Sequence, residues 1–315
     1  MRHIFLGALL AVACTACAAP LMRSTLSAPP TPGQSAELWE EPHDLADRNL
    51  FDGPWGQDFA PDPAATYTFV SKKTVGVSPG FAVTDERGTE WSVKQGREAK
   101  VEVVMSRVLS AVGYHQPPVY YLPRWTISGG PSSSEGVQSE ARFRPKHTVL
   151  TDEGPWSWHA NPFIGTRPYN GLRVLMMVLN QSDLKNSNNT LYGFKESGDA
   201  GRAARRWYVV RDIGAGLGET GRLGPRRNDL LLFERIAFIN SVKNGAVDFN
   251  YHGRHQELAD HITPEDVRWM CDLLARLRMD QWHDAFRAGG YDEPTAERFI
   301  ARIKEKVAEG QALTP

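Results

Sequence analysis

The sequence predicts an α+β fold in which a strand-rich, antiparallel first part carrying one helix is followed by a mainly helical second part. Three observations lead there. Runs of aromatic and β-branched residues separated by turn residues occupy positions 66–94, the spacing of apolar residues switches to a helical period at Glu98, and helical spacing dominates beyond Asn228.

Residues 66–74 and 81–84 read as strands, and Val75-Gly76-Val77-Ser78-Pro79-Gly80 turns the chain between them. Asp85-Glu86-Arg87-Gly88 turns it again into 89–94, which gives three antiparallel strands. Val101, Val104, Met105, Val108, Leu109 and Val112 then recur on one helical face until Gly113 ends the helix. The segment 128–146 is polar and Gly/Ser-rich, the composition of a mobile insertion. A second helix over about 171–180 is apolar nearly all round, as expected of an element buried on most sides. Residues 190–194 and 206–213 make a hairpin, and helices follow over 230–242, 264–279 and 294–309. Thr263-Pro264-Glu265-Asp266 supplies the cap residue, first-turn proline and acid of a helix start.

Ahead of these elements, Arg2 and His3 precede an apolar run over 4–13 and a Cys- and Ala-rich patch over 14–19, the order of a secretory signal. The run is shorter than the roughly 18 apolar residues of a spanning helix, so it stands apart from the fold. The stretch resembles a bacterial lipoprotein signal. That resemblance implies a lipid on Cys17 or Cys14 and an exported chain, anchored to the cell-envelope membrane and facing the periplasm. Cleavage after an alanine near residue 18, without a lipid, is the alternative.

The expected organisation is a signal over 1–17, a linker over 18–45, a small strand-rich part over 46–125, the mobile insertion over 126–150 and a large helical part over 151–315. The formal charge of −1 carries no long run of one sign, which argues against a nucleic-acid partner. Outside the signal only Cys271 remains, so no disulfide framework holds the fold. Nine tryptophans, among them Trp55 and Trp156 beside Gly and Pro, serve as core packing or as a sugar-stacking surface.

The chemistry concentrates in Asn180-Gln181-Ser182-Asp183-Leu184-Lys185-Asn186-Ser187-Asn188-Asn189, followed after the hairpin by Val210-Arg211-Asp212-Ile213-Gly214. Phosphoryl transfer asks a protein mainly for positioning and charge neutralisation, and these stretches offer carboxylate and amide oxygens for a metal and cations for phosphates. The first stretch resembles the catalytic loop of protein kinases, with Asp183, Leu184, Lys185 and Asn188 at its marked positions. Asp212-Ile213-Gly214 is similar to their metal-binding Asp-Phe-Gly. Upstream, Glu90-Trp91-Ser92-Val93-Lys94 resembles the strand whose lysine grips the nucleotide phosphates, and the turn with Gly76 and Gly80 stands where the glycine-rich loop belongs. Departures are plain: Gln181 and Ser182 replace His-Arg, only two glycines mark the loop, and no Ala-Pro-Glu segment follows. Atypical members, such as secretory-pathway and spore-coat kinases, are the nearest look.

The resemblance implies a two-lobed protein-kinase-like fold: a small antiparallel-sheet lobe with one helix and a larger, mainly helical lobe. It implies Mg²⁺ and ATP or another nucleotide, with Asp183 as base and Lys185 on the transferring phosphate. Asn188 and Asp212 take the metal, and Lys94 pairs with an acid on the following helix. Of Glu98 and Glu102, the second is preferred because it lies well inside the helix. The acceptor, whether envelope protein, glycan or small molecule, is left open. Two alternatives stand beside catalysis: a pseudokinase that keeps the fold, and a glycan-binding lipoprotein using Trp156 and Trp158.

Other signals point elsewhere. Gly216-Leu217-Gly218-Glu219-Thr220-Gly221 matches a dinucleotide fingerprint, but Arg222-Leu223-Gly224-Pro225 forbids the helix that such a site needs. His252, His255 and His261, near Glu257 and Asp260, lack the helical pair spacing of zinc ligands and read as solvated or capping residues. Ser157 and Ser132 to Ser134 lack a hydrolase elbow.

Overall fold

The computed structural model describes residues 21–73, 78–131, 135–146, 149–194, 206–221 and 226–314. Gly76, Cys14 and Cys17, with the rest of the expected signal over 1–17, lie outside the described residues. Among the described residues the first elements are strand β1 (Arg23–Ser24) and the one-turn helix α1 (Pro32–Ser35). Then come β2 (Thr66–Lys72), β3 (Gly80–Thr84), β4 (Glu90–Gln95), helix α2 (Glu98–Ala111), β5 (Tyr120–Leu122), β6 (Trp125–Ser128), β7 (Gly136–Gln138) and β8 (Ala141–Pro145).

Strands β2 to β8 form one seven-stranded sheet in the order β5-β8-β4-β3-β2-β6-β7. The three strands expected from composition are its antiparallel centre, and β2 and β6 run parallel. Three strands separate β6 from β8, about 19 Å in a flat sheet at roughly 4.8 Å per strand. The rings of Trp125 on β6 and Phe143 on β8 nevertheless stand 5.4 Å apart, so the sheet curls around a cluster that includes Tyr67, Val83, Trp91 and Val93. Residues 126–150, expected as a mobile insertion, therefore supply β7, β8 and most of β6. Gly129, Gly130 and Ser139 lie between strands, while Ala141, Phe143 and Pro145 alternate along β8 with Arg142 and Arg144.

The second part runs through β9 (Leu150–Asp152), β10 (Ala160–Asn161), α3 (Arg167–Val178), β11 (Asn189–Phe194), β12 (Arg206–Val210), α4 (Leu230–Arg235), β13 (Ile239–Lys243), β14 (Ala246–Phe249), α5 (Pro264–Ala275), α6 (Met279–Ala288) and α7 (Glu293–Gln311). Thr263 caps α5 in the expected box with Asp266. The helix expected over 230–242 stops at Arg235. Asn244 and Gly245, both at positive φ, make a tight turn that folds β13 onto β14, and that turn chemistry overrides the local apolar spacing. The helix expected over 264–279 ends at Ala275, and α6 starts anew at Met279.

Helix α2 is buried nearly all round and belongs to the main core together with Leu172, Leu175 and Met176 of α3 and Phe286 of α6. It also packs on β4, β5 and β8, so it joins the curled sheet to the helices. A side chain at Gly289 would stand 2.7 Å from Val104 Cγ2, and its absence lets the end of α6 close on α2. The expected linker over 18–45 is a packed strap within its described part. Leu38 and Leu45 are buried, the Trp39 indole Nε1 donates to Val112 O at 2.7 Å, and β1 pairs in parallel with β10. Just beyond it, Arg48 donates to Ser110 O at 2.5 Å. Gly and Pro content suggested slack, but the apolar residues between them bury.

Trp156 and Trp158 are buried in the main core, so they present no glycan-stacking face. The nine tryptophans are all buried or half-buried. Among the described residues, no helix is long and apolar enough to cross a membrane.

Candidate active site

The loop after α3 is stitched to the segment after β12 by main-chain bonds. Asn180 turns the chain at φ 51, a left-handed conformation that asparagine tolerates, and its side-chain amide donates to Gly218 O at 2.7 Å. From α7 the buried Lys306 donates to Asn180 Oδ1 at 2.9 Å and Val178 O at 3.0 Å, which satisfies carbonyls at the end of α3. Ser182 N and Oγ both donate to Ala215 O, and the N–H groups of Arg211 and Asp212 share Asn188 O at 2.9 and 3.1 Å. Fully buried Gln181 donates from Nε2 toward Asp212 O at 3.4 Å. Gly214 meets the start of α2: a Cβ there would lie 2.7 Å from Glu98 Cβ and 2.8 Å from Glu98 O.

These contacts bring the two motifs and Lys94 of β4 together. Lys94 Nζ lies 2.5 Å from Asp212 Oδ1, 3.1 Å from Glu102 Oε2 and 3.2 Å from Glu98 Oε2. Both helix acids thus reach the lysine, and the preferred one, Glu102, is the more buried at 1 % side-chain exposure. Glu102 Oε1 also stands 2.9 Å from Arg142 Nε as an ion pair and accepts a hydrogen bond from the guanidinium of Arg144. Burial opposes its ionisation, but Arg142, Lys94 and Arg144 outweigh burial and hold the carboxyl far below the usual range. Glu98 pairs in addition with Arg227.

Asp183 stands on the other side of Asn188. Its Oδ2 receives Lys185 Nζ at 2.7 Å, its Oδ1 lies 3.4 Å from Arg254 Nε, and Asn188 Nδ2 donates to its carbonyl at 2.6 Å. Gly80 opens β3 opposite Lys94 in the ladder, and a Cβ there would stand 2.8 Å from both Lys73 Cδ and Val93 O. Its glycine is required by that close approach.

A cleft of about 470 Å³ opens over Lys94 and Asp212, with Lys73, Arg142, Arg144 and Arg211 also in its lining. Pro118, Leu150 and Tyr192 give it an apolar side. A larger cavity of about 580 Å³, near Asp62 and Tyr120, contains none of the motif residues. Burial, with Arg142, Arg144 and Lys94 nearby, pushes the Lys73 ammonium down to about 7. Lys73 is thus largely neutral above that pH, whereas a bound polyanion favours its charged form. Tripolyphosphate binding at about pH 8 is expected to take up as much as one proton, and at about pH 6 much less. Calorimetry in two buffers of different ionisation enthalpy measures this, and Lys73→Met should take up fewer protons at about pH 8 than wild type.

Sequence reasoning missed Arg142, Arg144 and Arg254. The period-two alternation along β8 was the available signal for the first two, whereas Arg254 reaches Asp183 from a distant loop with none. The dinucleotide-like segment opens no helix: Glu219 N bonds Arg226 O, and α4 starts only at Leu230.

No protein-family model matches the chain, and no curated protein does. Among solved structures it is similar to the Golgi casein kinase with Mn/ADP bound, at 9 % identity and a TM-score of 0.40, over 81 % of this chain and 73 % of that one. A second structure of the Golgi casein kinase gives 10 % identity and a TM-score of 0.31, over 82 % and 75 % of the two chains. Likeness this distant leaves the chemistry to the side chains.

Proposed function

We propose that this protein is a kinase-like phosphotransferase that takes a divalent-metal nucleotide in the cleft over Lys94 and Asp212. One observation carries the reading: Lys94 joins Glu102 of α2 to Asp212, while the main chain of Asp212 is bonded to that of Asn188. Residues far apart in sequence thereby meet in the arrangement that the motif resemblance implies.

The donors present fit a hard cation. Asp212 is half exposed and Lys94 occupies only one of its oxygens, while Asn188 uses its amide nitrogen on Asp183 and keeps Oδ1 for other use. Asp212 and Asn188 would hold the Mg²⁺, which when bound neutralises phosphate charge alongside Lys94. Asp183 orients the acceptor hydroxyl and takes its proton, and Lys185 supports the transferring phosphate. By the same resemblance Gly80, paired with Lys94 in the ladder, would stand beside the phosphates, as would Gly76. An open cleft favours binding over the pseudokinase alternative, whose mark would be a filled pocket. The N-terminal signal supports placing this activity on an envelope membrane, with a lipid at Cys17 or Cys14 and an acceptor in the envelope.

The test is thermal unfolding of the full-length protein with and without Mg-ATP. At a hundred times its dissociation constant a ligand stabilises the native state by about 2.7 kcal/mol, which for a chain of this size is a Tm rise of about 4–5 °C. Wild type should show the rise and Asp212→Ala should lose it. Absence of any shift with every nucleotide tried would overturn the reading.

A further inference from the structure

We infer that His159, His255 and Glu257 form a second metal site, one suited to zinc, that fastens together two segments flanking the Asp183 loop. The fold assembles it from distant pieces. His159 lies just before β10, and His255 and Glu257 lie at the start of a short 3₁₀ helix (Gln256–Ala259) some residues beyond β14. One carboxylate oxygen, Glu257 Oε1, stands 2.9 Å from His159 Nε2 and 2.9 Å from His255 Nδ1. All three ligand atoms lie within 4.8 Å of one another.

Two imidazole nitrogens and one carboxylate oxygen are a three-ligand set that zinc takes, with water completing a tetrahedron. Zinc–ligand bonds of about 2.0 Å place neighbouring ligand atoms about 3.3 Å apart, so the two short contacts need to open by only a few tenths of an ångström. Among the described residues, the ion-pair partners of Glu257 are the two imidazoles and no lysine or arginine. Its negative charge is therefore available to a cation. His159 is 10 % exposed and His255 32 %, so an ion has access from the His255 side.

The surroundings are held in place. His159 N donates to Ser157 Oγ at 3.1 Å, and His159 O receives Arg23 N from β1 at 2.8 Å. His255 sits at φ 58, ψ 61, a conformation uncommon for a residue with a side chain, and Arg254 N before it bonds Ser182 O at 2.8 Å. On the other flank Trp158 N bonds Asn186 Oδ1 at 2.9 Å. A metal here would tie both neighbours of the loop to each other. The site is separate from Asp212 and Asn188, and its existence does not depend on phosphoryl transfer.

The experiment strips full-length protein of metal and titrates it with Zn²⁺ against a chromophoric chelator. Wild type and Asp212→Ala should each hold one zinc per chain. His255→Ala and Glu257→Gln, both at partly exposed positions, should each lose affinity by about a hundredfold, since even outer partners of metal ligands are worth 10–100-fold. Co²⁺ should give wild type the visible absorption of a four-coordinate N/O site, absent in those variants. Unchanged zinc affinity in His255→Ala and Glu257→Gln, or no zinc on wild type, would reduce the trio to a hydrogen-bonded clasp and overturn the proposal. Loss of zinc in Asp212→Ala alone would do the same, by placing the ion in the cleft. The Mg-ATP shift is read separately, so either site can fail while the other stands.

Discussion

Replacing Asp183 with asparagine is expected to lower the rate of phosphoryl transfer by about 10²–10⁴-fold, the usual worth of a positioned general base, and to leave the Mg-ATP rise in Tm in place. The separation follows from where Asp183 sits. It lies across Asn188 from the Lys94 cleft, and its partners Lys185 and Arg254 are 37 % and 59 % exposed. Losing such contacts costs at most about 1 kcal/mol, because water replaces the carboxylate. The variant should therefore fold and bind nucleotide as wild type does. Release of label from γ-labelled ATP, to water or to the protein itself, measures the rate without a known acceptor. An Asp183→Asn protein as fast as wild type would remove this residue from the chemistry.

The second large effect concerns stability. Glu102→Gln is expected to destabilise the fold by about 3–5 kcal/mol, as when one partner of a buried ion pair is removed. Lys94, Arg142 and Arg144 converge on that carboxylate at side-chain exposures of 12 %, 2 % and 13 %, and a neutral amide leaves their charges facing each other. Glu98→Gln should cost less, because Glu98 is 11 % exposed and its partner Arg227 22 %, close enough to water to be partly rehydrated. Urea unfolding of the two variants gives the ranking, and the opposite order would contradict the central place assigned to Glu102. The acid limb has a definite sign. The Glu102 carboxyl is held below its ordinary value of 4.5, so its contribution is complete above that pH and declines as pH falls below it. The gap between wild type and Glu102→Gln should narrow in the same range.

Much of the site is legible in the sequence because the residues involved are bound by short spacings. Asp183, Lys185 and Asn188 share one loop, Asp212 and Gly214 share another, and Lys94 with Glu102 spans one strand-to-helix turn. The chain order of those three pieces was enough to bring them together on paper. Arg142 and Arg144 escaped because charged residues in a Gly/Ser-rich region look solvated, and only the fold supplies the buried carboxylate that changes their meaning. His159 and Glu257 stand even further apart in sequence, so no local spacing could join them. The strap over 21–45 and the β13–β14 hairpin were missed for a different reason. In both, a few apolar side chains and one turn decide the structure against the composition around them.

The way α2 is clamped bears on control. A switch that worked by swinging this helix would have to unhook Trp39 and Arg48 from its C-terminal end, pull its first turn off Gly214, and part it from Gly289. It would also have to open the packing of the helix against both the sheet and α6 at once. Packed interfaces move between discrete arrangements rather than by gradual bending, and here no single joint can give way while the rest stays closed. The ion pair of Lys94 and Glu102 is consequently a standing fixture, armed before any signal arrives. In the proposed phosphotransferase, throttling then falls to traffic: the supply of donor, the arrival of acceptor, and whatever gains or is denied entrance to the cleft.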